Sequence, residues 1–181
     1  MACSISSSIS ITCDALRRVG GVNKRIWLFN MTDLSTPISA LADGYVTNIP
    51  LTTYRSLYKI EGAKFAHSFE VTEKRSDEGN VQWEHKVTIK VVNTTPTTDA
   101  VLEDLCTSEV GAIIQSNNNE FLIFGAANGL TATESVIMSG QKAGDSSATT
   151  LTLTGNEQSI YKRLLRTDVN TTLAYLIAME A

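Results

Sequence analysis

The chain has 181 residues, 43% apolar and 19% charged, with a formal net charge of -4 at pH 7, which suits one folded domain with a real core. The mildly acidic balance argues against a protein that grips nucleic acid, since phosphate binding draws on an excess of Lys and Arg. A membrane-spanning helix is not expected, because no run of about 18 apolar residues occurs.

Met1-Ala2-Cys3-Ser4-Ile5-Ser6 lacks the basic-then-apolar order of a secretory signal. Cys3, Cys13 and Cys106 are odd in number and irregularly spaced, the pattern of free thiols in a reducing cytosol and not of a disulfide framework.

Residues 1–22 read as an N-terminal arm, in which Ile9 and Ile11 alternate with Ser8, Ser10 and Thr12 before a Gly20-Gly21 turn. Residues 24–29 form a strand around Ile26-Trp27-Leu28-Phe29. Pro37, Asp43-Gly44 and Pro50 then break the chain, with strands expected at 45–49 and 56–60.

Residues 63–92 hold the longest two-residue alternation. Phe65, His67, Phe69 and Val71 share one face, and Val81, Trp83, His85, Val87, Ile89 and Val91 share one on the second arm. Between them, Lys74-Arg75-Ser76-Asp77-Glu78-Gly79-Asn80 is charged and turn-forming. This predicts a long β-hairpin with arms of about 33 Å at roughly 3.3 Å per residue. Its charged tip projects far enough to reach a neighbouring subunit, so Lys74, Arg75, Asp77 and Glu78 are the candidate interface residues.

Thr and Asp at 95–99 offer helix N-cap chemistry, and Val101, Leu102 and Leu105 then fall at helical spacing, which predicts a helix over 97–106. A second hairpin is expected from 109–115 and 120–126 around Asn117-Asn118-Asn119, and a third strand pair from 130–138 and 149–154. Residues 160–166 read as helix or extended, and 171–179 as apolar and β-leaning. Many short strands with one helix indicate a mainly β sandwich or barrel.

Chemistry is sparse. His67 and His85 lie on the apolar hairpin face, close to each other in the expected register, without further metal ligands in view. Cys106 follows the apolar stripe, where a small buried hydrophobe is usual. The glycines match no dinucleotide or phosphate-loop fingerprint. Two basic clusters, Arg17, Arg18, Lys24 and Arg25, then Lys162, Arg163 and Arg166, read as solvated faces in an acidic chain. No enzyme activity and no cofactor or metal is expected.

Residues 120–157 carry a more specific pattern. Glu120-Phe121-Leu122-Ile123-Phe124-Gly125 is an apolar strand ending in Gly, and Asn128-Gly129-Leu130-Thr131 a turn. Ser139-Gly140 and Gly144-Asp145 form a loop, and Thr149 to Glu157 a Thr/Leu strand closing in Thr-Gly-Asn-Glu. This resembles the tail-tube-like structural proteins of phages and prophages infecting Bacteroidetes. The opening from Cys13-Asp14 through Gly20-Gly21-Val22-Asn23 to Ile26-Trp27-Leu28-Phe29 is similar to that family's start.

The resemblance implies a tail-tube-like β-sandwich or half-barrel that closes into a homo-oligomeric ring, usually of six. Neighbouring rings or portal and tail proteins would be its partners in the virion, after assembly in the bacterial host cytoplasm. Double-stranded DNA would pass through the lumen without sequence-specific binding. Residues 158–181 extend beyond the pattern, which makes a head-to-tail connector or tail-terminator ring a variant. The alternative class is a β-sandwich binding module, capsid-decorating or carbohydrate-binding, for which exposed aromatic side chains are the discriminating feature. Trp27 and Trp83 both sit in core-like alternations.

Overall fold

The structure, a computed structural model, describes residues 21–41, 43–62, 66–75, 79–92, 95–138 and 147–181. Along these run β1 (Val22–Asn30), β2 (Tyr45–Val46), β3 (Tyr58–Glu61), β4 (Ser68–Arg75), β5 (Val81–Val92) and α1 (Pro96–Thr107). They are followed by β6 (Val110–Ser116), β7 (Phe121–Phe124), β8 (Thr131–Met138), β9 (Ala148–Glu157), β10 (Lys162–Leu164) and α2 (Val169–Ala178). The protein is mainly β, as its alternations predict. The expected alternation at Ile9 and Ile11 lies outside the described residues.

The strands build a six-stranded sheet in the order β2-β10-β7-β6-β1-β3 and a four-stranded sheet in the order β4-β5-β9-β8. Pairing is antiparallel except where β10 meets β2. One core lies between the sheets. Ile26, Leu28, Ala112, Ile114, Leu122 and Phe124 of the larger sheet meet Val87, Ile89, Leu151 and Leu153 of the smaller. A second core lies on the far face of the six-stranded sheet, where Trp27, Phe29, Ile113, Phe121 and Ile123 are covered by Ile38, Ile49, Leu57 and Leu176.

The difference between the sheets is written in their sequences. Ile26-Trp27-Leu28-Phe29, Ala112-Ile113-Ile114 and Phe121-Leu122-Ile123-Phe124 are continuous apolar runs because both faces of their sheet are buried. In β5 buried His85, Val87, Ile89 and Val91 alternate with more exposed neighbours, because only one face of its sheet meets the core. Each large side chain buried this way contributes about 1.5–3 kcal/mol.

The long hairpin is present, with Ser68 opposite Thr88 and Arg75 opposite Val81. It is less free than its length suggests. β5 also pairs with β9 from Trp83 to Val92, so only Lys74, Arg75, Val81, Gln82 and the tip run past the sheet. The histidines are not neighbours, since His85 stands opposite Val71.

α1 begins one residue earlier than predicted. Thr95 caps it by accepting from Thr98 N at 3.3 Å, and Pro96 occupies the first turn, where a missing N–H costs nothing. Leu102 and Leu105 enter the inter-sheet core, but Val101 and Cys106 face solvent. The expected three-residue stripe is thus two residues wide, and Cys106 is not a core residue.

The strongest correction is α2, which replaces the β-leaning reading of 171–179. Asp168 Oδ1 accepts from Thr171 N at 2.7 Å, and Thr172 Oγ1 accepts from Arg166 N at 3.0 Å and donates to Asp168 O at 2.7 Å. Val169, Thr172, Leu173 and Leu176 then form a helical stripe against the six-stranded sheet. Cap and stripe outweigh the modest strand preference of Thr, Tyr and Ile. Residues 160–166 resolve to the extended β10. The strand expected at 45–49 is only Tyr45–Val46, because Ile49 N is taken by the Tyr175 hydroxyl and Pro50 has no N–H to give. Among the described residues no helix is long and apolar enough to cross a membrane.

Candidate assembly surfaces

At the hairpin tip, Lys74 Nζ lies 3.3 Å from Glu84 and Arg75 Nε 2.5 Å from Glu73, with both cations largely exposed. These two candidate interface residues are therefore held by carboxylates of their own hairpin and stay open to solvent. Asp77 and Glu78 lie outside the described residues.

The ends of the four-stranded sheet are β4 and β8, each with one side unpaired by any described strand. They differ in character. β4 carries Glu70, Glu73, Lys74 and Arg75, and charge of this kind discourages unplanned pairing. In β8 every residue except Ala132 is exposed, Ile137 by 78%, with Val136 and Met138 beside it. Its only charge is Glu134, next to a register shift between Ala132 and Glu134. Sequence reading found this strand but not that it ends the sheet. Lack of a strict alternation across Ser135-Val136-Ile137-Met138 was the available signal.

The outward face of the same sheet is mostly polar, with the apolar Val136 and Met138 confined to its β8 margin. Glu70 stands opposite Lys86, Thr72 opposite Glu84, Thr88 opposite Thr152, Lys86 opposite Thr154 and Lys90 opposite Thr150. Glu134 of β8 extends it beside Thr152. Threonine hydroxyls separate the acidic groups Glu70, Glu84 and Glu134 from the basic Lys86 and Lys90, so no strong field of one sign builds up.

Gly125, Asn128, Gly129, Gly155, Asn156 and Glu157, which belong to the pattern that carries the resemblance, meet at one place. Gly125 takes φ 65° to turn the chain after β7. The following turn is pinned by Glu157, a buried carboxylate whose Oε1 accepts from Ala127 N at 3.0 Å and Asn128 N at 2.9 Å. Asn128 Nδ2 donates to Asn156 O at 2.6 Å. Gly155 lies against Gly129, where a Cβ would come within 2.2 Å of the Gly129 oxygen. This Gly-Asn-Glu to Asn-Gly clasp is structural, and Glu157 is the residue that sequence reading did not single out.

The basic side chains Arg25, Lys162, Arg163 and Arg166 are engaged within the fold. Lys162 Nζ donates to Ile38 O, Arg163 lies 3.7 Å from Glu120, and Arg166 stacks 4.4 Å above the Tyr175 ring. Arg163 also hydrogen-bonds Tyr161, which raises its pKa. Arg25 pairs with Glu61 at 2.8 Å, and that bond holds the Glu61 carboxyl below its ordinary pKa. Arg17 and Arg18 lie outside the described residues. Burial raises the Tyr175 hydroxyl above the usual tyrosine range. Among the described residues no group of three or more His, Cys, Asp and Glu could hold a metal ion. A depression of about 190 Å³ beside Arg163 and Tyr45, and one of about 360 Å³ between α1 and Tyr58, are the described concavities nearest these groups.

Trp27 is fully buried, its Nε1 donating to Glu180 at 2.9 Å, and Trp83 is half-buried. Tyr54, by contrast, is entirely exposed on a turn at φ 65°. Compared with known protein families, with curated proteins and with solved structures, the chain matches none.

Proposed function

We propose that this chain is a viral structural protein whose copies join side by side into a ring of a phage tail or head-to-tail connector, around the channel through which DNA passes. The observation that carries the reading is the β8 edge of an all-antiparallel, four-stranded sheet, exposed along nearly its whole length and paired on that side by no described strand. With an even number of strands, β4 and β8 run in opposite directions. Copies related by rotation about an axis along the strands would therefore bring β8 of one beside β4 of the next as an antiparallel pair. Such a head-to-tail contact is heterologous, and it closes into a ring when the rotation fits.

The outward face of that sheet suits a channel wall. Its partner sheet is covered on both faces, which leaves the Thr, Lys and Glu face as the bare one. A face without excess positive charge would not brake moving DNA, because phosphate contacts release counterions and bind strongly. The ring of six, the virion location and the neighbouring portal or tail rings come from the resemblance. The role is mechanical, with no catalytic residue assigned.

The hairpin tip tests this reading. Replacing residues 74–80 by a short Asn-Gly turn removes only the rungs beyond β9, so circular dichroism and melting should be nearly unchanged. Assembly, read by light scattering, should be abolished. An oligomer of unchanged size would overturn the interface assignment of Lys74, Arg75, Asp77 and Glu78. The second reading, a binding module on capsids or carbohydrate, is favoured by Tyr54, a fully exposed aromatic. Tyr54→Ala should abolish ligand retention if that reading holds and leave assembly intact if it does not.

A further inference from the structure

His67 and His85 are both buried, and each spends both ring nitrogens on backbone groups. His67 Nδ1 accepts from Lys90 N at 3.3 Å, and His85 Nδ1 accepts from Gly125 N at 3.2 Å. An accepting Nδ1 must keep its lone pair, so the single ring proton of each neutral imidazole sits on Nε2. From there His67 donates to Lys24 O at 3.2 Å and His85 to Ser159 O at 3.0 Å. Both rings cross between sheets. His67 precedes β4 and reaches β1, while His85 on β5 reaches the end of β7.

The seats are specific. Past the Ser68–Thr88 pair the β4–β5 ladder ends, and the imidazole of His67 takes the next β5 amide in place of a strand carbonyl. Gly62 makes room for it, since a Cβ there would stand 2.5 Å from His67 Nε2. His85 is held edge-on to Phe124, with ring centroids 5.5 Å apart.

We propose that His67 and His85 are paired, acid-released ties between the two sheets. A proton added at Nδ1 would put an N–H against the N–H of Lys90 or Gly125, turning an attraction into a repulsion and leaving a buried amide without an acceptor. The surroundings offer an imidazolium little. Among the described residues, His67 bonds to the backbone of Lys24 and Lys90, both cations, and Glu61 of β3 is already bonded to Arg25. On the elements around His85, Glu73 of β4 pairs with Arg75, Glu157 of β9 serves two amides, and Tyr161 packs on Phe124. Burial also holds the His67 ring below the ordinary histidine pKa. For a ring so lowered, the tie is fully present above the unfolded value, about 6.5, and its contribution falls as pH drops from there toward the folded value.

The test is denaturant unfolding between pH 8 and 5.5, with NMR of the imidazole nitrogens and backbone amides of the unmodified protein. Both rings should carry their proton on Nε2 at pH 8. Where acid protonates a ring while the chain is still folded, the amide that its Nδ1 holds should move with it. The folding constant should fall by up to about tenfold per pH unit through the His67 ring. The double variant His67→Gln, His85→Gln should lose that slope even if it is less stable at pH 8. A ring carrying its proton on Nδ1 at pH 8, or an unchanged slope in a folded double variant, would overturn the proposal. If the variant does not fold, the NMR of the unmodified protein decides.

Discussion

Gly155 and Glu157 sit two residues apart at the end of β9 and hold the turn after β7 in different ways. The first provides space, because a Cβ would collide with the Gly129 oxygen at 2.2 Å. The second provides an acceptor for the part-buried amides of Ala127 and Asn128. Glu157→Ala should therefore cost about 1–3 kcal/mol for each amide left without a partner. Glu157→Gln, which keeps a carbonyl oxygen in place, should cost clearly less. Gly155→Ala should destabilise by about 1–3 kcal/mol through overpacking, whereas Gly79→Ala, with φ 84° and open space around it, should lose only about 1 kcal/mol. Urea midpoints check all four. A Glu157→Ala protein as stable as the parent would mean that water satisfies those amides.

At the scale of elements, the sequence is legible wherever one physical signal dominates. The alternation of β5, the Asn turn between β6 and β7 and, to within one residue, the start of α1 are legible because periodicity, turn chemistry and capping each act locally. What escapes is the layer beyond the sandwich. Ile26-Trp27-Leu28-Phe29 and Phe121-Leu122-Ile123-Phe124 announce a sheet buried on both faces, but local pattern cannot say what covers the second face. The answer, α2, is hidden by its Thr, Tyr and Ile content and revealed by Asp168 as N-cap. Val101 and Cys106 were misplaced for a related reason: helical spacing gives a stripe, and the width of the groove that receives it is a tertiary fact. Thr95→Ala should lower stability by about 1 kcal/mol. Leu176→Ala, at a fully buried site of α2, should cost about 2–5 kcal/mol. Equal and small losses in thermal unfolding would contradict the account of α2 as the cover of the second core.

For the whole molecule, the interface residues proposed from sequence and the edge exposed by the fold are separate features. The hairpin tip was legible because charge and turn residues mark it. The β8 edge was not, since which strand ends a sheet depends on long-range pairing. A lysine at the most exposed apolar position of β8 would have to bury its charge wherever that strand is covered by a neighbour. Ile137→Lys should therefore leave the melting temperature within about 2–4 °C, as expected for a surface change near 0.5 kcal/mol, and should still prevent self-association. A variant that assembles as the parent does would remove β8 from the interface.

The most direct measurement is mass photometry of the unmodified protein over a concentration series, with negative-stain imaging of the largest species. The account predicts closed rings with a central hole, lost in Ile137→Lys. A monomer at every concentration, or rings that persist in that variant, would contradict it.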